Sequence, residues 1–443
     1  MQRPTLFAAA LAASLAACGL VHAQTLDVYR APDAPLGDPG TVTVHDLQPG
    51  QTVELVAERR FGQPAAVFRA SARFRADGSG RVDVSRLAPV SGSYEGVDRA
   101  GLFWSMTATQ TPTPADWKTG EVRVSALVDG KRVAETLVSV RAYRPDVVSR
   151  DIPGFPAATL ASLPGGEPRP VLVVLHGAEG GTGAGRRWSS VLASQGYAVV
   201  SLPYYSPDWG MAPKEIPELP GSFLDIRIDQ LADLRAWLAT QPDVDAARIG
   251  LFGGSKGAEF ALIAASKYPW IKAVVAYAPS DVVWEGWGLE VVEAEGARSS
   301  FSFEGNPLPF MPYKGFVEAL VAGPTADLLK VHNDGRAGHP DREAAARIRV
   351  EDYRGALMIV AGDADGLWAS GQMARNIVAS RKAAGLPTTA LIYADAGHDL
   401  AGDGFYPTAP DTVRGKGSAR ANAHAQADSW LKMLGFLKAA LKP

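Results

Sequence analysis

At 443 residues the chain is too long for one ordinary hydrophobic core, so two domains are expected. A content of 47% hydrophobic and 21% charged residues excludes a disordered chain, and a formal charge of −3 with dispersed arginines excludes a nucleic-acid surface or a polybasic membrane surface. The single cysteine, Cys18, excludes a disulfide framework, so stability must come from core burial.

Residues 1–23 read as an export signal. Arg3 supplies the positive start, Leu6 to Ala17 form an apolar run too short to cross a bilayer, and Val21-His22-Ala23 is a small-x-small cleavage site. Leu15-Ala16-Ala17-Cys18-Gly19 also resembles a bacterial lipobox, in which Cys18 carries lipid and anchors the mature chain. Both readings place the protein outside the cytoplasm, periplasmic or secreted, and both stay open. No later segment is apolar over the length of a membrane span.

Residues 24–145 show short alternating runs broken by turn signals. Val53 to Ala57 alternates, Asp77-Gly78 reads as a hairpin dipeptide between Phe74 and Val82, and Asp129-Gly130 separates Val122 to Val124 from Val133 to Val140. This spacing predicts an antiparallel, immunoglobulin-like β-sandwich. It carries no nucleophile, base or metal-ligand cluster, and His45 stands alone. Gly92 to Asp98 and Gly101 to Met106 are dense in aromatic residues, which marks a well-packed strand and corner.

After the Pro- and Gly-rich stretch from Pro145 to Pro170 the pattern changes, and residues 146–443 alternate buried strands with helices. Strands are expected at Val171 to Leu175, Ala198 to Leu202, Ile249 to Phe252, Ala273 to Ala278, Ala356 to Ala361 and Thr389 to Tyr393. Helices are expected at Arg186 to Gln195, Phe223 to Gln241, Gln372 to Ala384 and Ala421 to Leu441. Fully apolar strands joined by helices predict a mostly parallel sheet flanked by helices, an α/β fold.

The chemistry centres on Gly253-Gly254-Ser255-Lys256-Gly257, which fits G-x-S-x-G between a strand and a helix. Glycines two before and two after the serine keep Cβ atoms out of a crowded turn, and the Lys256 N–H at the helix start is suited to a developing oxyanion. An activated serine needs a histidine and a carboxylate, in the chain order serine, acid, histidine. His398 follows the strand Thr389 to Tyr393 at the edge where such sites assemble. His424, inside the terminal helix, reads as a packing or surface residue. For the acid, Gly362-Asp363-Ala364-Asp365-Gly366 ends a strand; Asp365 leads, Asp363 follows, and Asp281 is a third possibility. The second oxyanion donor is placed at the Ala178 N–H, in His176-Gly177-Ala178-Glu179-Gly180-Gly181.

Other patterns carry less. Gly181 to Arg186 lacks the ending of a phosphate-binding loop, and Arg186 and Arg187 read as exposed helix-start residues. His332 and His339 flank Asp334 in what reads as a polar loop, with no zinc spacing. No cofactor and no metal are expected.

These motifs together resemble the type I acyl-CoA thioesterases and bile acid-CoA:amino acid N-acyltransferases. Gly92 to Met106 is similar to that family's amino-terminal signature, and Gly253 to Glu259 to its nucleophile elbow. Asp365 with Trp368 is similar to its acid loop, Ala396-Gly397-His398 to its histidine loop, and Ala423 to Trp430 to its terminal helix. The resemblance implies a β-sandwich followed by an α/β-hydrolase domain, with Ser255, Asp365 and His398 as the triad. It departs from the family in two ways. The acyltransferase members use cysteine, whereas Ser255 would form an oxygen ester that His398 passes more readily to water than to an amine. The export signal also separates the chain from coenzyme A thioesters. Three readings follow: a serine hydrolase of acyl thioesters, an exported carboxylesterase of dienelactone-hydrolase type, and a non-catalytic envelope binding protein. The first two take a small-molecule thioester or ester, and none implies a protein partner.

Overall fold

The computed structural model describes residues 23–443 apart from 32–33, 62–65, 111–119, 211, 290–295 and 324–325. Cys18 and nearly all of the expected leader lie outside the described residues.

The amino-terminal part builds two antiparallel sheets. Thr25–Tyr29, Thr41–His45 and Val82–Asp83 form one, so Asp77-Gly78 does not turn the expected hairpin between Phe74 and Val82 but carries the chain from one sheet to the other, where Val82 pairs with Val44. Ser91–Gly92, Ala66–Arg75, Thr52–Phe61, Glu121–Val128 and Lys131–Ser139 form the other in that order, with Thr107–Ala108 on the edge of Ala66–Arg75. Alternation turns Val53 and Leu55 inward against Phe74 and Val124, and Val42 and Val44 of the first sheet join them in one shared core.

The second part is built on an eight-stranded mixed sheet. Its strands are β1 (Val148–Asp151), β2 (Thr159–Ser162), β3 (Arg169–Leu175), β4 (Ala198–Leu202), β5 (Val244–Gly254), β6 (Ile271–Tyr277), β7 (Ala356–Gly362) and β8 (Thr389–Tyr393). They lie in the order β1-β2-β4-β3-β5-β6-β7-β8. The pairs from β4 to β8 are parallel, and β1 and β2 add an antiparallel edge. Helices Gln230–Leu238 and Lys256–Lys267 contribute to the core on one face, Gly183–Ala193 and Ala419–Leu441 to that on the other. This is the layered fold of an α/β hydrolase, with every parallel strand ending at the same carboxyl edge.

The two parts meet along the family-like signature stretches. Phe405 and Ala423 pack into the core of the amino-terminal sheets. Asp98 Oδ2 accepts the Trp104 indole N–H at 2.9 Å and lies 2.7 Å from His424 Nε2, while its Oδ1 accepts the Ala100 N–H. His424 therefore joins the terminal helix to the first part.

One expected helix is shorter than its period implied. Only Gln230–Leu238 is helical within Phe223 to Gln241. Phe223 instead bridges to Trp287 and stacks on it at 4.5 Å, Asp225 has φ +47°, and Ile226–Arg227 pairs with Phe301–Phe303. Burial of the aromatic face against the excursion between β6 and β7 outweighs helical periodicity there.

Candidate active site

Strand β5 runs straight into the helix Lys256–Lys267 through Ser255, whose φ of +55° and ψ of −123° are rarely adopted by a residue with a Cβ. Such a backbone costs about 1–3 kcal/mol and persists only where its surroundings hold it. Here the Ser255 N–H donates to the Tyr277 carbonyl of β6 at 2.9 Å, and its carbonyl accepts the Ala258 and Glu259 N–H groups. The flanking glycines are sterically required. A Cβ on Gly253 would lie 2.3 Å from the Gly257 carbonyl oxygen, and one on Gly257 would lie 2.4 Å from the carbonyl oxygen of Leu175 and 2.6 Å from that of His176. Because these are backbone atoms, Gly257→Ala is expected to lose about 1–3 kcal/mol of stability and most of the activity, checked by urea unfolding and an ester assay.

Lys256 sends its side chain inward. The ammonium lies 2.7 Å from Glu259, donates to Ser300 Oγ at 2.8 Å and sits over Phe301 at 4.8 Å, while Glu259 accepts the Trp284 N–H at 3.0 Å. Both side chains are almost fully buried. Burial pulls the ammonium down and pushes the carboxyl up, and their mutual attraction opposes both. The pair fastens the elbow helix to the excursion. Glu259→Ala leaves an unpaired buried ammonium and should cost about 3–5 kcal/mol, read as a lowered urea midpoint. The Lys256 N–H, first in the helix, has no helical carbonyl behind it.

The acid and histidine loops pack backbone to backbone beyond β7 and β8. A Cβ on Gly362 would lie 2.1 Å from the Ala396 carbonyl oxygen, and Ala364 N–H donates to that oxygen. Asp365 Oδ1 accepts the Leu367 and Trp368 N–H groups at 2.9 and 3.3 Å, which aims Oδ2 at His398 Nδ1, 2.8 Å away. Of the other acids, Asp363 pairs with Arg375, and Asp281 is held by Arg336 and Asn376. With Nδ1–H directed at a carboxylate, neutral His398 presents Nε2 as an acceptor. Burial lowers the basicity of His398, but the charge and hydrogen bond of Asp365, with Asp399 and Glu179, raise it overall above its ordinary value.

Two other imidazoles line this region and stay neutral. His176 donates from Nδ1 to the Gly177 carbonyl, accepts the Tyr204 N–H at Nε2 and stacks on the Tyr204 ring at 3.7 Å; burial holds its pKa at about 4. It thereby fixes the start of the loop carrying Ala178. Among the described residues the Ala178 N–H donates to no acceptor. His332, expected in a polar loop, lies instead in the helix Leu328–Gly338 with its ring edge-on to Trp284, Tyr313 and Trp368; burial lowers its pKa to about 4. Trp368 in turn lies edge-on to His398 at 5.9 Å. Arg186 pairs with Glu215, and Arg187 donates to the Ala401 carbonyl. Among the described residues no cluster of His, Cys, Asp and Glu is arranged to hold a metal ion.

Comparison with known proteins identifies this architecture. Residues 37–152 match the model of the acyl-CoA thioester hydrolase/BAAT N-terminal region, and residues 231–443 match that of the BAAT/acyl-CoA thioester hydrolase C terminus. The chain belongs to the acyl-CoA thioester hydrolase/BAAT family. As a member of that family it is a thioester or carboxylic ester hydrolase. Residues 157–289 also match the dienelactone hydrolase family. The chain is similar to the peroxisomal succinyl-coenzyme A thioesterase of Mus musculus, 26% identical over 94% of this chain and 96% of that one. The mitochondrial acyl-coenzyme A thioesterase 2 of Mus musculus is 29% identical over 90% and 85%. Among solved structures, an esterase of the bacterial hormone-sensitive lipase family is 18% identical over 68% of this chain and 86% of that chain, with a TM-score of 0.39.

Proposed function

We propose that the protein is an acyl-CoA thioesterase-like serine hydrolase working through a Ser255–His398–Asp365 triad and an acyl-enzyme. The observation that carries this reading is the 2.8 Å bond between buried Asp365 and buried His398, beyond the same sheet edge as the strained Ser255 turn. Ser255 attacks the carbonyl carbon, His398 takes its proton and returns it to the leaving thiol, and Asp365 holds the imidazole in the required tautomer. The N–H groups of Lys256 and Ala178 stabilise the oxyanion. A thiol leaving group, with a pKa near ~8.5, departs more easily than an alkoxide and makes the acid step less demanding.

The amino-terminal sheets are read as an immunoglobulin-like sandwich, and the mature protein as exported, either cut after Ala23 or lipidated at Cys18. Export, together with the dienelactone-hydrolase match over 157–289, favours a second reading, an exported carboxylesterase that never meets coenzyme A. Turnover of long-chain acyl-CoA against a simple aryl ester separates the two. Efficient acyl-CoA hydrolysis supports the first, and aryl-ester turnover with negligible acyl-CoA turnover selects the second. Mass analysis of the mature amino terminus settles processing and anchoring.

A further inference from the structure

The proposed triad accounts for Asp365 but leaves a second carboxylate at the nucleophile unused. Glu179 lies in the loop after β3, exposed to solvent, and its Oε1 accepts the Gly177 N–H at 3.0 Å. Its other oxygen, Oε2, lies 2.5 Å from the point a Cβ on Gly177 would occupy, and that point is 3.4 Å from both the Ser255 Cβ and the Gly254 carbonyl oxygen. Gly177 thus has no side chain between this carboxylate and the elbow. Among the described residues no lysine or arginine pairs with Glu179 and no donor meets Oε2; Arg186, in the helix that follows this loop, is taken by Glu215. A carboxylate near a developing oxyanion opposes it, so its position here is a cost in acylation that a role in another step would offset. The charge of Glu179 adds, after those of Asp365 and Asp399, to the field that raises the basicity of His398.

We infer that Glu179 is a second catalytic carboxylate that holds the water which opens the acyl-enzyme. The inference rests on the serine-hydrolase reading above. Once the thiol has left, its place beside the acyl-Ser255 carbonyl is free for water. The water oxygen bonds to the carbonyl carbon, one of its protons passes to His398 Nε2, and its second hydrogen is held by Glu179 Oε2. The tetrahedral intermediate then collapses, the bond to Ser255 Oγ breaks, and Oγ takes the proton back from His398. Glu179 gains and loses nothing. It orients the attacking lone pair, and its charge stabilises the imidazolium formed in this step. Acylation needs no water, so Glu179 acts on one half of the cycle only. This asymmetry also directs the acyl group to water rather than to another acceptor.

The test is pre-steady-state kinetics of Glu179→Gln and Glu179→Ala with a neutral short-chain p-nitrophenyl ester and with an acyl-CoA. Glutamine keeps an acceptor for the Gly177 N–H, so it isolates the charge from loop anchoring. The expected result is a full burst of leaving group at a rate within about threefold of wild type, followed by turnover slowed about 10- to 100-fold. Acyl-Ser255 should accumulate by intact mass, and hydroxylamine should restore turnover by replacing water. Equal slowing of burst and turnover would overturn the inference and leave Glu179 as a loop anchor. A loss confined to substrates bearing an ammonium group near the carbonyl would overturn it in favour of a specificity carboxylate. If wild-type Ser255 gives neither a fluorophosphonate adduct nor a covalent acyl adduct, the serine reading itself fails, and that result is distinct from both.

Discussion

Replacing Ser255 by alanine should lower hydrolysis of thioesters and aryl esters by about a million-fold in kcat, leaving only what the oxyanion donors and substrate binding supply. Alanine keeps the Cβ and the positive φ that the elbow already tolerates, and the Ser255 N–H bond to Tyr277 is untouched. The fold and its unfolding midpoint should therefore hardly change. The double variant Ser255→Ala/His398→Ala should be no slower than the single one, because members of a catalytic unit fail together rather than additively. An alanine variant that retained wild-type rates would remove Ser255 from the chemistry.

Asp365→Asn should cost roughly ten-thousand-fold in rate, with the geometry of the site almost unchanged. The amide can donate a hydrogen to His398 Nδ1, which favours the tautomer carrying its proton on Nε2 and leaves nothing to accept the serine proton. A second readout gives the sign of the electrostatics. His398 works as a base only when neutral, so activity falls as pH drops through its pKa. In wild type that acid limb should lie above the ordinary imidazole value of about 6.5, because Asp365, Asp399 and Glu179 together outweigh burial. Without the Asp365 charge, burial gains weight and the limb should move to lower pH. His176 and His332, held at about 4, stay neutral through the assay range and should add no second limb near neutrality. The pH dependence of kcat/KM for both proteins tests this directly. A limb that stayed in place in Asp365→Asn would show that Asp365 does not set the basicity of His398.

How much of this was legible in the sequence depends on how local each signal was. The elbow pattern, the glycine-bounded acid loop and the histidine loop are contiguous strings, each tied to the end of one strand, so they could be read as candidates from the sequence, although the choice of Asp365 over Asp363 and Asp281 leaned on the family resemblance. The amino-terminal sheets were likewise legible from alternation and from Asp129-Gly130, which turns Glu121–Val128 into Lys131–Ser139, whereas Asp77-Gly78 joins strands of different sheets and makes no hairpin. Features depending on remote packing were not. His332 has polar neighbours in sequence, yet Trp284, Tyr313 and Trp368 close around it from elsewhere in the chain. Phe223 to Ile228 has a helical period but is drawn toward Trp287 and Phe301. Lys256 drew notice for its backbone N–H, whereas its side chain turned out to be half of a buried ion pair; an i,i+3 Lys–Glu pair inside an otherwise apolar helix was the available signal. Glu179 was visible only as a neighbour of Ala178, the proposed oxyanion donor. That its carboxylate faces the elbow follows from Gly177 lacking a side chain, a fact about space that residue order does not carry.

In the proposed triad His398, oriented by Asp365, makes Ser255 nucleophilic. Peptide mapping after brief exposure to a fluorophosphonate, for wild type and His398→Ala side by side, tests it most directly. A single adduct on Ser255 in wild type, and almost none in the variant over the same interval, is the predicted result. Equal labelling of the two proteins, or an adduct on any other residue, would contradict it.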